Sequence, residues 1–146
     1  MSLRLPAALR EQILKAAEKA YPEEACGLLL GAVPGNFEVP GRALAIDEAR
    51  PLANGWEAGA KTNRYALDAK ALAHIERSLS GTGRAVVGVY HSHPDAPAWP
   101  SPFDLERAWP CYSYLIVGVR GGRAAEARSW MRSEDGRNFN EEPVEE

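Results

Sequence analysis

The apolar residues near the start of the chain recur every three or four positions. This period places apolar side chains on one side of a helix, and a proline is favoured in the first helical turn. The pattern predicts an amphipathic helix over residues 6–20, which Pro22 ends. The apolar positions that define its buried side are Leu9, Ile13, Leu14, Ala17 and Tyr21.

Three continuous apolar runs, residues 25–33, 85–90 and 112–119, have the length of strands. A run without alternation is typical of a strand that is covered on both faces. Another strand is expected within residues 37–46, and the weaker alternation of residues 125–132 predicts a strand nearer a sheet edge. The acidic residues 140–146 predict a short strand and a solvated tail.

The segments between these runs predict a long loop and two more helices. Residues 47–64 are rich in Gly, Ala, Asn and charged residues, and long loops in compact domains are often functional. A helical period begins at Leu67 and is closed by Gly81 and Gly83, and residues 101–109 predict a short third helix. The sequence therefore predicts an α/β fold, a mixed β-sheet flanked by helices, as a single domain over residues 1–146.

Composition and charge narrow the function classes. The chain carries 17 Lys and Arg against 20 Asp and Glu, a net charge of −3, without the clustered basic stripe of a nucleic-acid-binding surface. No segment approaches the roughly 20 apolar residues of a membrane span, and the charged N-terminus does not resemble a signal peptide. The two distant cysteines argue against a disulfide framework. We expect a cytoplasmic protein with no nucleic-acid or membrane partner; whether it forms a homodimer is left open.

Two of the three histidines lie two residues apart, directly after a buried apolar run. Side chains at i and i+2 of a strand point to the same face, so an extended backbone brings the imidazoles of His91 and His93 within a few ångströms of each other. The pair is compatible with a metal site. It is equally compatible with two partly exposed histidines at the end of a strand.

The segment 101–104 also has two interpretations. Serine at the N-cap, proline at the first helical position and aspartate at the third form a helix start that implies no chemistry. The same Asp104 carboxylate, in the first turn of a helix that follows a strand, can turn back toward the histidines. Two imidazoles and one carboxylate suit Zn²⁺ and leave its fourth tetrahedral position for water. The two interpretations are compatible.

Taken together, these residues resemble the signature of the JAMM (MPN+) metalloproteases. His91-x-His93, seven residues, Ser101, two residues and Asp104 reproduce H-x-H-x(7)-S-x(2)-D. The upstream E-x-C-G of that family has its counterpart in residues 24–27, which begin with Glu24 and precede an apolar run. The resemblance implies a cytidine-deaminase-like α/β fold and hydrolysis of peptide or isopeptide bonds.

The resemblance also implies roles for five residues. His91, His93 and Asp104 would bind Zn²⁺, Glu24 would be the general base, and Ser101 would stabilise the oxyanion. Spacing alone does not decide whether Ser101 mainly caps its helix or acts in catalysis.

Neighbouring residues were weighed for the same chemistry. Glu23 competes with Glu24, but only Glu24 fits E-x-C-G. We expect Asp95 to be a loop residue, Cys26 a core residue and His74 a surface residue. Trp99 is expected either to line the substrate channel or to pack under its loop, and Trp56 raises the same question.

The short form of the chain resembles the stand-alone prokaryotic members of the family. Their resemblance implies a ubiquitin-like or ThiS/MoaD-type sulfur-carrier protein as the substrate, cut after its terminal glycine pair. Two alternatives stay open at this point: a catalytically silent scaffold of the same fold, and a DNA-associated protein similar to RadC.

Overall fold

The computed structural model describes residues 2–32, 43–55 and 67–146. The described part contains three helices and eight strands in an α/β arrangement, as predicted. The strands are β1 (Ser2–Arg4), β2 (Cys26–Ala32), β3 (Ala43–Leu52), β4 (Arg84–Pro94), β5 (Ser113–Arg120), β6 (Arg123–Arg132), β7 (Phe139–Glu142) and β8 (Val144–Glu145). The helices are α1 (Ala7–Ala20), α2 (Ala69–Leu79) and α3 (Pro102–Arg107).

The strands form one mixed sheet in the order β7-β6-β5-β4-β2-β3-β1-β8. The central strand β4 pairs antiparallel with β2 and parallel with β5. A parallel neighbour requires a crossover connection, and α3 lies in the crossover from β4 to β5. The carboxyl end of β4 therefore lies next to the start of α3.

Helices cover both faces of this sheet. α1 contributes Ile13 and Ala17 to a core with β1, β3 and one face of the central strands. α2 contributes Ile75 and Leu79 to a second core on the opposite face. The full coverage of the central strands explains why their sequences are continuous apolar runs.

The glycine of the E-x-C-G segment is required by close packing between β2 and β4. Gly27 lies opposite Tyr90 in the register of the two strands. A Cβ atom on Gly27 would collide with the Tyr90 ring, which is almost fully buried. Any larger residue at this position would displace the Tyr90 ring from the core beside the histidines.

Most predicted elements are confirmed, with small shifts of their ends. The first helix starts at residue 7, and the strand predicted at 25–33 spans residues 26–32; Val33 lies outside the described residues. The third helix ends at Arg107 rather than at residue 109. A proline disfavours the helical conformation at the residue before it. Pro110 therefore keeps Trp109 out of the helix.

The loop predicted at residues 47–64 is wrong over residues 47–52, which belong to β3. Their composition is as polar as that of a loop, but their charged side chains form ion pairs on the surface of the sheet. Arg84 of β4 binds Asp47, and Arg50 contacts Glu48 at 2.7 Å. The strand predicted within 37–46 coincides with β3 only from residue 43, and residues 56–64 lie outside the described part.

The acidic end of the chain forms the predicted short strand, β7, but the predicted solvated tail is wrong, because a second short strand, β8, follows. β7 pairs with β6, and β8 pairs with β1 at the other end of the sheet order. Only Pro143 separates these two strands, so the last residues join both edges of the sheet. Glu142 is 1% exposed and accepts a hydrogen bond from the Ser129 hydroxyl at 2.7 Å.

None of the helices in the described part of the chain is long and apolar enough to cross a membrane.

Candidate metal centre

The register between β2 and β4 brings the two halves of the sequence motif together. Cys26 lies opposite His91, so Glu24, two residues before Cys26, lies level with His93. The imidazole rings of His91 and His93 are 5.1 Å apart between centroids. The ligand atoms of Glu24 and both histidines all lie within 4.8 Å of one another.

Two polar residues that the sequence analysis passed over fix the backbone around Glu24. The Ser92 hydroxyl accepts a hydrogen bond from the Ala25 amide at 2.8 Å, and the Ser92 amide donates to the Ala25 carbonyl at 3.0 Å. The Asn54 side-chain amide donates to the Glu24 carbonyl at 3.1 Å. The sequence signal that could have revealed the first anchor is a polar serine that continues an apolar strand between two histidines. In the structure this serine is 1% exposed.

Asp104 reaches the histidines from the first turn of α3. Ser101 is the N-cap of this helix, and its hydroxyl accepts from the Asp104 amide at 3.1 Å. In return, Asp104 Oδ2 accepts from the Ser101 amide at 2.8 Å, which completes a capping box. The carboxylate is 5% exposed and points toward both imidazoles. Both interpretations of segment 101–104 therefore describe the same geometry.

The spacing of these groups fits a tetrahedral metal ion. Asp104 Oδ2 is 3.2 Å from His93 Nε2, and Asp104 Oδ1 is 3.6 Å from His91 Nε2. Two ligand atoms that each lie about 2.0–2.1 Å from one tetrahedral zinc are roughly 3.3 Å apart. Glu24 approaches from the other side, with Oε1 3.4 Å from His91 Nδ1. The donor set and its spacing suit a small divalent cation.

Comparison with known proteins agrees with this geometry. The family model for prokaryotic homologs of the JAB domain matches residues 6–133 of the chain. The chain belongs to this prokaryotic JAB family. The JAMM/MPN+ resemblance of the sequence is thereby confirmed.

Named relatives of this JAB protein are hydrolases. It is 34% identical over 128 residues to the desampylase of Haloferax volcanii, across 84% of this chain and 85% of the relative. It is 33% identical over 129 residues to the CysO-cysteine peptidase of Mycobacterium tuberculosis, across 88% of this chain and 80% of the relative. A JAB1/MPN domain protein from Archaeoglobus fulgidus, 23% identical, has the same fold with a TM-score of 0.57 over the full length of both chains.

The electrostatics of the JAB site keep its carboxylate ionised. Burial alone would raise the pKa of Asp104, but the His93 hydrogen bond, the charge of His91 and the Ser101 amide lower it to about 2. Burial alone would lower the pKa of His93, but the Asp104 carboxylate and the Pro97 carbonyl raise it above its ordinary value. Without a cation, the site therefore attracts positive charge.

A backbone carbonyl fixes the tautomer of His93. The distance from His93 Nδ1 to the Pro97 carbonyl oxygen is 3.0 Å. A carbonyl oxygen only accepts hydrogen bonds, so Nδ1 carries a proton. Nε2 faces the Asp104 carboxylate at 3.2 Å, and a metal ion bound there would take the place of the Nε2 proton. Metal-ligating histidines are usually oriented in this way.

The remaining predictions near the site have mixed outcomes. Asp95 is exposed in the loop after β4, His74 is exposed on α2, and Cys26 is 2% exposed in the core, all as expected. Burial, and secondarily the Glu24 charge, raises the pKa of the Cys26 thiol to about 12, so it is no nucleophile at neutral pH. Glu23 stands between a helix and a strand and is therefore expected to be exposed, but it is half-buried; its amide donates to the Ala20 carbonyl at the end of α1 at 2.9 Å.

Trp99 packs against its surroundings, as one of its two interpretations predicts, and its place in a substrate channel stays a prediction. Its ring stacks at a tilt on Trp130, with centroids 4.9 Å apart, yet 53% of the residue is exposed. It therefore packs on β6 and still presents a surface to solvent between the histidines and α3. Trp56 lies outside the described residues.

Proposed function

We propose that this protein is a zinc-dependent peptidase or isopeptidase that hydrolyses the amide bond after the C-terminal glycine pair of a ubiquitin-like or sulfur-carrier protein. The observation that carries the proposal is the convergence of Glu24, His91, His93 and Asp104 at one end of the sheet. Membership of the JAB family supports the same activity.

His91, His93 and Asp104 would hold the zinc ion. Imidazole and carboxylate ligands suit zinc, and three protein ligands leave one position open. Zinc in such a site supplies Lewis-acid chemistry, because it makes a water molecule more acidic and polarises a carbonyl group. The bond from His93 Nδ1 to Pro97 keeps the opposite nitrogen directed at the site.

Glu24 is the proposed general base. Its carboxylate is 3% exposed and lies beside His91, on the side opposite Asp104. It takes a proton from the attacking water and returns it to the leaving amine nitrogen, which must be protonated before it departs. The anchors on Ala25 and the Glu24 carbonyl hold this carboxylate in place.

Ser101 is the proposed oxyanion donor. Its Oγ accepts the hydrogen bond that caps α3, and its own proton can be donated to a substrate. That donation becomes stronger as negative charge grows on the carbonyl oxygen, so it favours the transition state over the bound substrate. Capping and catalysis thus use different parts of the same hydroxyl group.

The substrate class rests on the relatives. The two named relatives are a desampylase and a peptidase named for CysO and cysteine. The first name describes removal of a sampyl modifier and the second describes cleavage of CysO–cysteine. We therefore propose a carrier-protein conjugate as the substrate, with an amino acid or a second protein as the leaving group. The cytoplasm is the proposed compartment, because Cys26 and Cys111 are both thiols.

The alternatives are weaker on physical grounds. A metal-free scaffold has no need of three converging metal ligands and a buried carboxylate beside them, and here His91, His93, Asp104 and Glu24 lie together. A DNA-associated role is disfavoured by the net charge of −3.

The test is to purify the protein with zinc and to incubate it with a carrier–Gly-Gly–peptide fusion. One equivalent of zinc and cleavage directly after the second glycine are expected, with cleavage by Glu24→Gln slower by about 10²- to 10⁴-fold. A matched fusion with Ala-Ala in place of Gly-Gly is the control. Cleavage of both fusions at equal rates would remove the carrier proposal, and a fully active Glu24→Gln would remove the mechanism.

A further inference from the structure

The loop between β4 and α3 is fastened to β6 by three side chains on one face of that strand. Glu126, Arg128 and Trp130 alternate along β6 and therefore point to the same side. The Trp130 indole donates to the Ala98 carbonyl at 3.0 Å. The Arg128 guanidinium lies 5.4 Å from the centre of the Trp99 ring.

Glu126 binds the backbone of this loop directly. Its Oε1 accepts a hydrogen bond from the Ala98 amide at 3.0 Å. This amide and the Pro97 carbonyl belong to the same peptide group, and the Pro97 carbonyl bonds to His93 Nδ1, also at 3.0 Å. One peptide group thus connects a carboxylate on β6 with a proposed zinc ligand on β4.

Hydrogen bonds on the two sides of a peptide group reinforce each other. A carboxylate that accepts from the N–H pushes electron density toward the carbonyl oxygen, which then accepts more strongly. Charge-assisted bonds are about twice as strong as neutral ones. The donor end of the hydrogen bond between Ala98 and Glu126 is shielded from solvent, because Ala98 is 0% exposed.

We propose that Glu126 is a positioning residue for the zinc site, acting on His93 through the Pro97–Ala98 peptide group. Its charge strengthens the Pro97 carbonyl as an acceptor, holds the proton on His93 Nδ1 and makes Nε2 a better ligand. The proposal rests on the zinc site proposed above. Arg128, whose Nε donates to Glu126 Oε2 at 3.2 Å, orients the carboxylate so that Oε1 faces the loop.

Glu141 offers a matched control. It binds the same Arg128 guanidinium, at 2.9 Å and 3.2 Å, from the neighbouring strand β7. The hydrogen bonds of Glu141 thus go to Arg128, whereas Glu126 also reaches the loop backbone. Removal of either carboxylate deletes one negative charge near the same arginine, but only removal of Glu126 acts on His93.

The experiment measures zinc affinity by competition with a chelating dye for wild type, Glu126→Ala, Glu126→Gln and Glu141→Ala. Loss of a group that supports a metal-bound histidine costs about 10- to 100-fold in metal affinity. Because Glu126 acts through a peptide group, we expect about tenfold for Glu126→Ala, less for Glu126→Gln, and no change for Glu141→Ala.

A second readout separates positioning from anchoring of the loop. In zinc-loaded protein labelled with ¹⁵N-histidine, the His93 Nδ1 proton is expected to move upfield and exchange faster in both Glu126 variants but not in Glu141→Ala. A purely structural anchor would lower the melting temperature and leave zinc affinity and this resonance unchanged, which would overturn the proposal. Equal losses of affinity in Glu126→Ala and Glu141→Ala would also overturn it.

If Glu126→Ala does not fold, the isosteric Glu126→Gln carries the test with the same criteria. Different results would contradict the role of Glu126 and the proposed function. A wild type that takes up no zinc contradicts the proposed function, whereas a wild type that binds zinc as tightly as both Glu126 variants contradicts only the role of Glu126.

Discussion

Helices α2 and α3 both begin with a short polar side chain that satisfies the first backbone amides, but only one of these starts belongs to a chemical site. At α2, the exposed Asp68 accepts from the amides of Lys70 and Ala71 at 2.9 and 3.4 Å. At α3, Ser101 is the cap, and the buried Asp104 both completes the capping box and faces two imidazoles.

The difference teaches that a capping carboxylate can also serve a metal site, and that its surroundings decide whether it does. Asp68 uses one oxygen for its cap, on the surface of the protein. Asp104 uses Oδ2 toward both Ser101 and His93, and Oδ1 toward His91. What makes a helix-opening carboxylate functional is its place after a strand that ends in two histidines.

The largest effect is expected from replacing each of the two aspartates by asparagine. Asparagine caps helices as well as aspartate, so Asp68→Asn should leave stability, zinc content and hydrolysis unchanged. Asp104→Asn keeps an oxygen for the Ser101 amide but loses the charged ligand. Its zinc affinity should fall by more than the roughly 100-fold cost of losing a supporting group, and hydrolysis should be lost. Elemental analysis and the fusion assay measure both, and a zinc-loaded, active Asp104→Asn would break the comparison.

Glu24→Gln is expected to have the next largest effect. General acid–base groups contribute about 10²- to 10⁴-fold to rate, so the turnover of this variant should fall by that factor while it retains one equivalent of zinc. Glu23→Gln, one residue away, serves as the control and should behave as wild type. Equal losses in the two variants would show that charge near the start of β2, and not a specific base, supports the reaction.

Ser101→Ala sharpens the comparison between the two helix caps. Loss of a cap costs about 1 kcal/mol of stability, and loss of one oxyanion donor costs about 10²- to 10³-fold in turnover. We expect both losses for Ser101→Ala and only the first for Asp68→Ala, as measured by denaturant unfolding and by steady-state kinetics of the zinc-loaded proteins. Unchanged turnover in Ser101→Ala would make this serine a cap and nothing more.

The smallest effect is expected at Cys26, whose side chain lies on the same face of the sheet as the histidines. Its pKa of about 12 keeps it protonated at pH 8, so iodoacetamide should neither modify it nor reduce activity in a Cys111→Ser background. A chelator should abolish the activity of the same sample, and added zinc should restore it. Rapid alkylation of Cys26 in the folded protein, followed by mass spectrometry, would contradict its assignment to the core.

The sequence predicted the residues of the site more accurately than the strands of the sheet. Alternation along a strand was enough to place His91 and His93 on one face, and helix-start chemistry was enough to place Asp104 in a first turn. Both rules act over a few residues. The partners that contact the site from distant parts of the chain, such as Asn54 and Glu126, depend on tertiary contacts that no local pattern encodes.

The errors in the sheet have a common physical cause. Residues 47–52 and 140–146 are polar, and polar composition predicted a loop for the first segment and a tail after one short strand for the second. Both segments are strands, because backbone hydrogen bonds and ion pairs hold them to their neighbours. β1 was not predicted, since three residues are too short to show a period.

The central claim is that one zinc ion is held by His91, His93 and Asp104. A crystal structure of the zinc-loaded protein, with anomalous diffraction measured at the zinc edge, tests it most directly. The account predicts a single peak within about 2.0–2.2 Å of one nitrogen of each histidine and one oxygen of Asp104, with Glu24 nearby and not coordinated. A peak at any other place, or crystals from zinc-saturated solution without a peak at these residues, would contradict it.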